Sequence, residues 1–380
     1  MVQELRLSGK LVIWDGDITH PDCGLTVDQV SLIHDKVSLF IHGASTINLQ
    51  KPLVEVAKHI IYPSLTLAKM ALGCANLTRF VYISTAYTNA FLRKALNGSV
   101  ERYDAVIEED IHHIRSHPSA SAAMELSDLE AYGSTPEYEF VRHPFPYSYA
   151  KHLTERLLLE FFNEAQLDHM LLIFRPSCIG PAESKPYPFY EVPGSSPVTV
   201  CLAAAVACPP MTLNFSSHLK DPSTANIDEV PVDIVVNRLI AHVAFESSGC
   251  VHAVGGSRGR HTTDELFNAV IQFRRFWWAY PKITWYDDYW KSDRLCKPAR
   301  LFVITGCSFI FDEAKTDLIW DRMSVSERST WPLYQCENSS TDERVAGRQK
   351  ALALIVGRMI NKFYGLPAHL TWLFHASSSI

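Results

Sequence analysis

The chain of 380 residues is 47% hydrophobic and 20% charged, with a formal net charge of −6, a composition that supports a large buried core with room for one big domain and an appendage. The acidic balance and the absence of any Lys/Arg run exclude the electrostatic footprint of a nucleic-acid binder. Nine cysteines without a CxxC pair read as reduced thiols, so no metal is expected, and the opening MVQELRLSGK has no basic start followed by an apolar run, which favours an intracellular protein of unspecified organelle.

In chain order, short apolar runs rich in β-branched residues at Lys10–Trp14, Val37–His42, Arg79–Ile83 and Met170–Phe174 predict strands. Between the second and third, Pro52–Cys74 predicts a helix with Val56, Ile60, Leu67 and Met70 or Ala71 on its apolar side. Between the third and fourth, Tyr147–Glu164 predicts another. The alternation is that of an α/β fold, a doubly wound Rossmann-like parallel sheet covered by helices on both faces. The segment from Arg93 to Pro146 is polar and broken by Gly133 and several prolines, and reads as an irregular insertion over the cleft.

The most apolar stretch, Val198–Met211, is interrupted by Pro209 and Pro210 and falls short of the roughly 20 residues that cross a bilayer. It reads as a buried helix or a wall of the substrate cleft, with shallow peripheral membrane contact left open. After about Gly259 the pattern turns to aromatic-rich helix and loop, with Phe276-Trp277-Trp278 and Trp285-Tyr286, and shows no strand run that would extend the sheet. A soft boundary there divides the chain into residues 1–260, the sheet domain, and residues 261–380, a small, mostly helical C-terminal region.

The strongest local signal for chemistry is YSYAK, Tyr147–Lys151, at the start of a predicted helix. Spacing i,i+4 puts the phenol and the ammonium on one face, where Lys151 lowers the pKa of Tyr147 by its charge and reaches toward a bound ribose. Tyr147 is then a proton donor, and a hydroxyl from Thr85 or Ser84, at the end of the preceding strand, holds a carbonyl oxygen that receives a hydride. With 15 tyrosines in the chain, an accidental Tyr-x-x-x-Lys has about even odds. Position is what supports this one: it lies between a strand ending in Ser84-Thr85 and a strand ending in Arg175-Pro176-Ser177.

The ordered segments WDGDI (Trp14–Ile18), FIHGAST (Phe40–Thr46), FVYISTAY (Phe80–Tyr87), YSYAK, FRPSCIGP (Phe174–Pro181) and EVPVDIVVN (Glu229–Asn237) resemble the extended short-chain dehydrogenase/reductases. Within them they resemble the fatty acyl-CoA reductases and related thioester reductases. The resemblance implies an NAD(P)-binding reductase domain over residues 1–260, NADPH as cofactor, and a long-chain acyl-CoA or acyl thioester as substrate, reduced to aldehyde or primary alcohol. It makes Asp17, with Ile18 beside it, the acidic position that contacts adenine, and Gly43 and Ala44 the small residues lining the dinucleotide. Ser84, Pro176, Ser177 and Cys178 fall at positions against the cofactor, the last three facing the nicotinamide, and Thr85, Tyr147 and Lys151 form the catalytic set. Phe309–Arg328, FIFDEAKTDLIWDRMSVSER, is similar to the C-terminal region of fatty acyl-CoA reductases.

Each segment also has a plainer reading. Gly16-Asp17 is an ordinary turn pair, Gly43-Ala44 permits close packing, Val230–Asp233 is a loop before a helix, and Leu318 and Trp320 are core positions of an unrelated amphipathic helix. The family begins with a strand, a GxxGxxG turn and a helix that holds the cofactor diphosphate, and no such turn occurs here. The sheet is therefore expected to be N-terminally incomplete, with an open edge at the Val37 strand and no neighbour for the Lys10 strand unless the two pair directly. Ile60 stands where the family has an asparagine of the proton relay, and Pro63 where it has a glycine. Two further readings remain: a non-catalytic relic that binds an acyl chain or a partner, and a polyketide or peptide thioester reductase.

Overall fold

The computed structural model describes residues 2–49, 51–93, 106–112, 121–141, 143, 145–274, 280–288, 292–301, 303–336 and 340–367; the Phe276–Trp278 cluster lies outside them. The chain divides into two compact units, one of residues 1–83 with 113–173, the other of residues 84–112 with 174–380.

In the first unit the strand Leu39–His42 runs parallel to Arg79–Ile83, with Phe40 opposite Phe80 and His42 opposite Tyr82, and the start of the Leu171–Pro176 strand follows on the other side. Arg79–Ile83 is buried at four of its five positions, as a parallel strand covered on both faces must be. The Phe80 ring lies 5.7 Å from Phe40 and 5.4 Å from Phe162 of the helix Pro146–Glu164. That helix opens on a proline, whose missing N–H costs nothing in the first turn, and buries Tyr149, Leu153, Leu158 and Phe162.

Three expectations change here. Lys10–Trp14 forms no strand, and neither does it pair with Leu39–His42; Val12 and Ile13 are exposed. A β-branched run becomes a strand only where a neighbour offers a ladder of donors and acceptors. Leu39–His42 accordingly ends the strand order, with Leu39 and Ile41 exposed. Pro52–Cys74 is two helices, Leu53–Ala57 and Ile61–Leu72, because the ring of Pro63 would clash with the carbonyl of His59 in a continuous helix; Ile60 takes up the break. The segment from Arg93 to Pro146 holds two helices among its described residues, Ala122–Tyr132 and Pro136–Val141. Gly133, read above as a breaker, adopts φ 75° and caps the first of them, the usual place for a left-handed glycine.

In the second unit Phe174–Pro176 continues its strand beside Gly249–Ala253. Cys178–Gly180 runs parallel to Asn226–Pro231, which is antiparallel to Arg260–Thr262, and Thr212–Ser216 runs parallel to Lys282–Tyr286. Strands therefore do occur after Gly259, but each pairs in a small sheet of its own and none extends the main one. The helices Pro197–Ala207, Thr263–Ile271 and Gln349–Tyr364 share an apolar cluster with Leu202, Val206, Leu266, Val270, Leu352 and Val356. The Val198–Met211 stretch is thus a packed helix as far as Ala207, with Pro209, Pro210 and Met211 exposed beyond it, and among the described residues no helix is long and apolar enough to cross a membrane.

Val230–Asp233 is no plain loop. Strand passes directly into the helix Val232–Ala244, and the Asp233 carboxylate accepts the N–H groups of Glu183, Ser184 and Lys185 at 2.9, 2.9 and 3.0 Å. In the helix Ala314–Arg322 the buried positions are Thr316 and Ile319, while Leu318 is exposed. The whole is α/β, with a Rossmann-like parallel sheet as its frame.

Candidate functional site

The YSYAK face is built inside the first unit. Pro146 starts the helix, so Tyr147 and Lys151 stand on its first turns, one above the other. Lys151 is 3% exposed, and its Nζ donates to the carbonyl of Ile83 at 2.8 Å, the last residue of the neighbouring strand. The ammonium lies 4.7 Å from the centre of the Tyr82 ring and 6.0 Å from that of Tyr147, within cation–π reach of both. Burial pushes Lys151 down to about 7, with Glu155 opposing the shift. The charge of this lysine therefore depends on pH in the neutral range.

Two buried residues that sequence reasoning missed back this lysine. His42 Nε2 lies 2.9 Å from Ser64 Oγ, and the Ser64 hydroxyl donates to the carbonyl of Ile60. With its proton spent on Ile60, Ser64 can only accept from His42, so the imidazole carries its proton on Nε2. Burial first, then the charge of Lys151, hold His42 down at about 4, a neutral ring at physiological pH. Ile60 cannot supply a side-chain amide, yet its carbonyl is engaged by the hydroxyl one helical turn on. That spacing, serine at i+4 from Ile60, was the available signal.

Asp17 and Ile18 belong to the same unit but to a loop of their own. The Asp17 carboxylate accepts from Thr19 N at 2.9 Å and Thr19 Oγ1 at 2.7 Å, and these bonds hold its pKa below the ordinary value. This is turn geometry. Ile18 packs against Cys23, Leu67 and Met70, and beside it an open cleft is lined by His20, Lys58, His59, Tyr62 and Thr66. Gly43 and Ala44 follow the first strand and are exposed. A Cβ on Gly43 would meet only Ile83 Cγ1 at 3.6 Å, an ordinary contact, so packing does not demand glycine there.

Ser84, Thr85, Pro176, Ser177 and Cys178 all lie in the second unit and are buried. Ser84 N donates to Phe174 O at 2.7 Å. Thr85 Oγ1 lies 3.4 Å from Pro176 O and accepts from Tyr87 N at 3.3 Å. Cys178 Sγ is 3.5 Å from the Tyr87 hydroxyl, and burial pushes the thiol up to about 12, which removes it as a nucleophile. A missed neighbour is Asp228, whose carboxylate accepts from Gly255 N at 2.7 Å and Gly256 N at 3.0 Å and is raised to about 6 by burial. Each group of candidates is thus held by partners within its own unit.

A family model described as male sterility protein, an NAD-binding module, matches residues 1–239. The chain is 25% identical over 256 residues to a putative fatty acyl-CoA reductase of Drosophila melanogaster, covering 67% of this chain and 44% of the relative. Against fatty acyl-CoA reductase 1 of Gallus gallus it is 20% identical over 274 residues, covering 70% and 49%; the chain spans about half the length of the curated relatives it matches. Among solved structures, the terminal R domain from the myxalamid PKS-NRPS biosynthetic pathway superposes with a TM-score of 0.55 at 16% identity, covering 94% of this chain and 77% of that one. At that identity the likeness is one of fold.

An NAD(P) cofactor fits these residues at one end. An ammonium has three donors, and Lys151 spends one on Ile83, which leaves capacity for ribose hydroxyls. The 380 residues contain no GxxGxxG turn of the kind that holds a diphosphate.

Proposed function

Since the chain belongs to the male sterility protein family, we propose that it carries the proton-donating part of a reductase that converts a long-chain acyl thioester, such as an acyl-CoA, to the aldehyde and then the primary alcohol. NADPH, when bound, supplies the hydride for each reduction. In the first, the thiol leaves as the hemithioacetal collapses; in the second, Tyr147 gives its proton to the aldehyde oxygen. Lys151 holds the ribose and, while protonated, favours loss of the Tyr147 proton. The observation that carries this reading is the Tyr147–Lys151 face, in which the half-buried phenol stands beside a buried ammonium seated on Ile83 O.

The test follows NADPH absorbance at 340 nm with palmitoyl-CoA, product identification by gas chromatography, and tryptophan quenching by NADPH at micromolar concentration. Quenching together with aldehyde or alcohol is expected. Acyl-CoA binding with neither quenching nor product would overturn the reductase reading in favour of an acyl-binding relic.

A further inference from the structure

Two apolar clusters in the second unit approach each other without closing. One includes Val198, Leu202, Ile227 and Leu266 under three helices. The other includes Leu213 and Phe215, with Cys208 and Ile283 packed on it. Between them lies a cavity of about 660 Å³, its open mouth included, lined by residues of both clusters. Protein interiors pack to near-crystalline density, and an unfilled apolar void forfeits dispersion contacts along every wall. This space is apolar in its lining and opens to solvent, as a ligand pocket does and a sealed packing defect does not.

The wall offers a polar ligand little to hold. The Thr263 hydroxyl donates to Thr305 O at 2.6 Å. The carbonyls of Ala205, Val206 and Cys208, at the end of the Pro197–Ala207 helix, accept from Arg274 Nη1 at 3.2, 2.8 and 2.6 Å. Burial pushes the Cys201 thiol up to about 12 and raises that of Cys208, so both are neutral. The occupant is therefore apolar along its length. Cys201, Ala204, Ala205 and Cys208 line the cavity at i, i+3, i+4 and i+7, a single helix face, and their small side chains leave the space open.

We propose that this cavity receives the hydrocarbon chain of the acyl thioester, and that Ala204 and Ala205 set the chain length it accepts. The proposal rests on the acyl thioester reading above, and its binding readouts do not depend on turnover. The experiment measures alkylation of individual cysteines by mass spectrometry in the intact chain, with palmitoyl-CoA or CoA alone, alongside calorimetric affinities for palmitoyl-CoA and octanoyl-CoA. Palmitoyl-CoA, and not CoA, is expected to slow alkylation of Cys201 and Cys208 at least several-fold, while the exposed Cys336 reacts unchanged. Ala204→Phe is expected to weaken palmitoyl-CoA about tenfold or more, the roughly 1.4 kcal/mol of a tenfold affinity change, and to leave octanoyl-CoA near its original affinity. Ala204→Val, a smaller intrusion, gives an intermediate effect and guards against misfolding of the larger variant. Unprotected thiols, or equal weakening of both chain lengths, would overturn the assignment. Protection and chain-length selection in a protein that oxidises no NADPH would uphold the cavity and overturn the reductase reading alone.

Discussion

Two helices do opposite work. Pro146–Glu164 buries charged and hydrogen-bonding groups, among them Lys151, Thr154, Glu155 and Arg156. Several of these have identifiable partners: Nζ on Ile83 O, Thr154 on Ala150 O at 2.7 Å, and Arg156 on Glu125 at 2.6 Å. Pro197–Ala207 buries almost only apolar side chains and leaves a gap beside them. A buried polar group costs free energy unless it is bonded, so the first helix specifies its neighbours group by group. A buried apolar face specifies only area and volume. The first arrangement suits control of protons; the second suits admission of a hydrocarbon.

The largest expected effect tests the polar side. Tyr147→Phe removes one hydroxyl, and hydride transfer should fall by about 10²–10⁴, the usual contribution of a positioned acid. The melting temperature should stay within about a degree, since Tyr147 is only half-buried and surface-type changes cost little. Undiminished turnover would remove Tyr147 from the mechanism. On the apolar side, Leu202→Ala enlarges a space that already exists. Leu202 is 4% exposed and lines the cavity, so chemical denaturation should show a loss of about 2–5 kcal/mol, with the lower half of that range expected where the wall is already open. An unchanged stability would mean that Leu202 does not pack as described.

The difference between the helices also explains what could be read from the sequence. Tyr147 and Lys151 announce themselves by spacing, because a hydrogen-bonding function needs particular atoms at particular intervals. The Arg79–Ile83 strand is equally plain, being a short β-branched and aromatic run. The cavity is not, because Cys201, Ala204, Ala205 and Cys208 look like any apolar helix face, and whether a facing side chain fills the space depends on Leu213, Phe215 and Ile283, which tertiary structure alone brings near. Lys10–Trp14 misleads for a related reason: its pattern fits a strand, but a strand is a property of two segments.

A middle-sized effect concerns the pair behind the lysine. Ser64→Ala leaves His42 Nε2 and the carbonyl of Ile60 without the hydroxyl that joins them. Loss of a buried partner costs about 1–3 kcal/mol, and the loss should largely vanish when the change is made in a His42→Phe background, where no ring N–H remains to be satisfied. A double-mutant cycle in urea checks this; additive losses would show that the two residues act separately.

The smallest effect per step is the most diagnostic, because it follows one proton. Lys151 is shifted down to about 7 by burial from an ordinary value near 10.4. If Tyr147 needs the neighbouring ammonium, turnover should decline above pH 7 by up to about tenfold per unit, whereas Lys151→Arg, whose guanidinium stays charged, should show a flat profile between pH 7 and 9 at whatever rate it retains. Stability has its own sign. Between about 7 and 10.4 the unfolded lysine is protonated and the folded one is not, so the unfolded state binds more protons and stability rises with pH across that window. Below pH 7 both are protonated and the full cost of the buried charge is present. Lys151→Met removes that cost, so its stability advantage over the parent chain should be greatest at pH 6 to 7 and shrink toward pH 10, as read from urea midpoints. A gap that stays constant over that range would show that burial does not depress this lysine, and the polar helix would lose its claim to control a proton near neutrality.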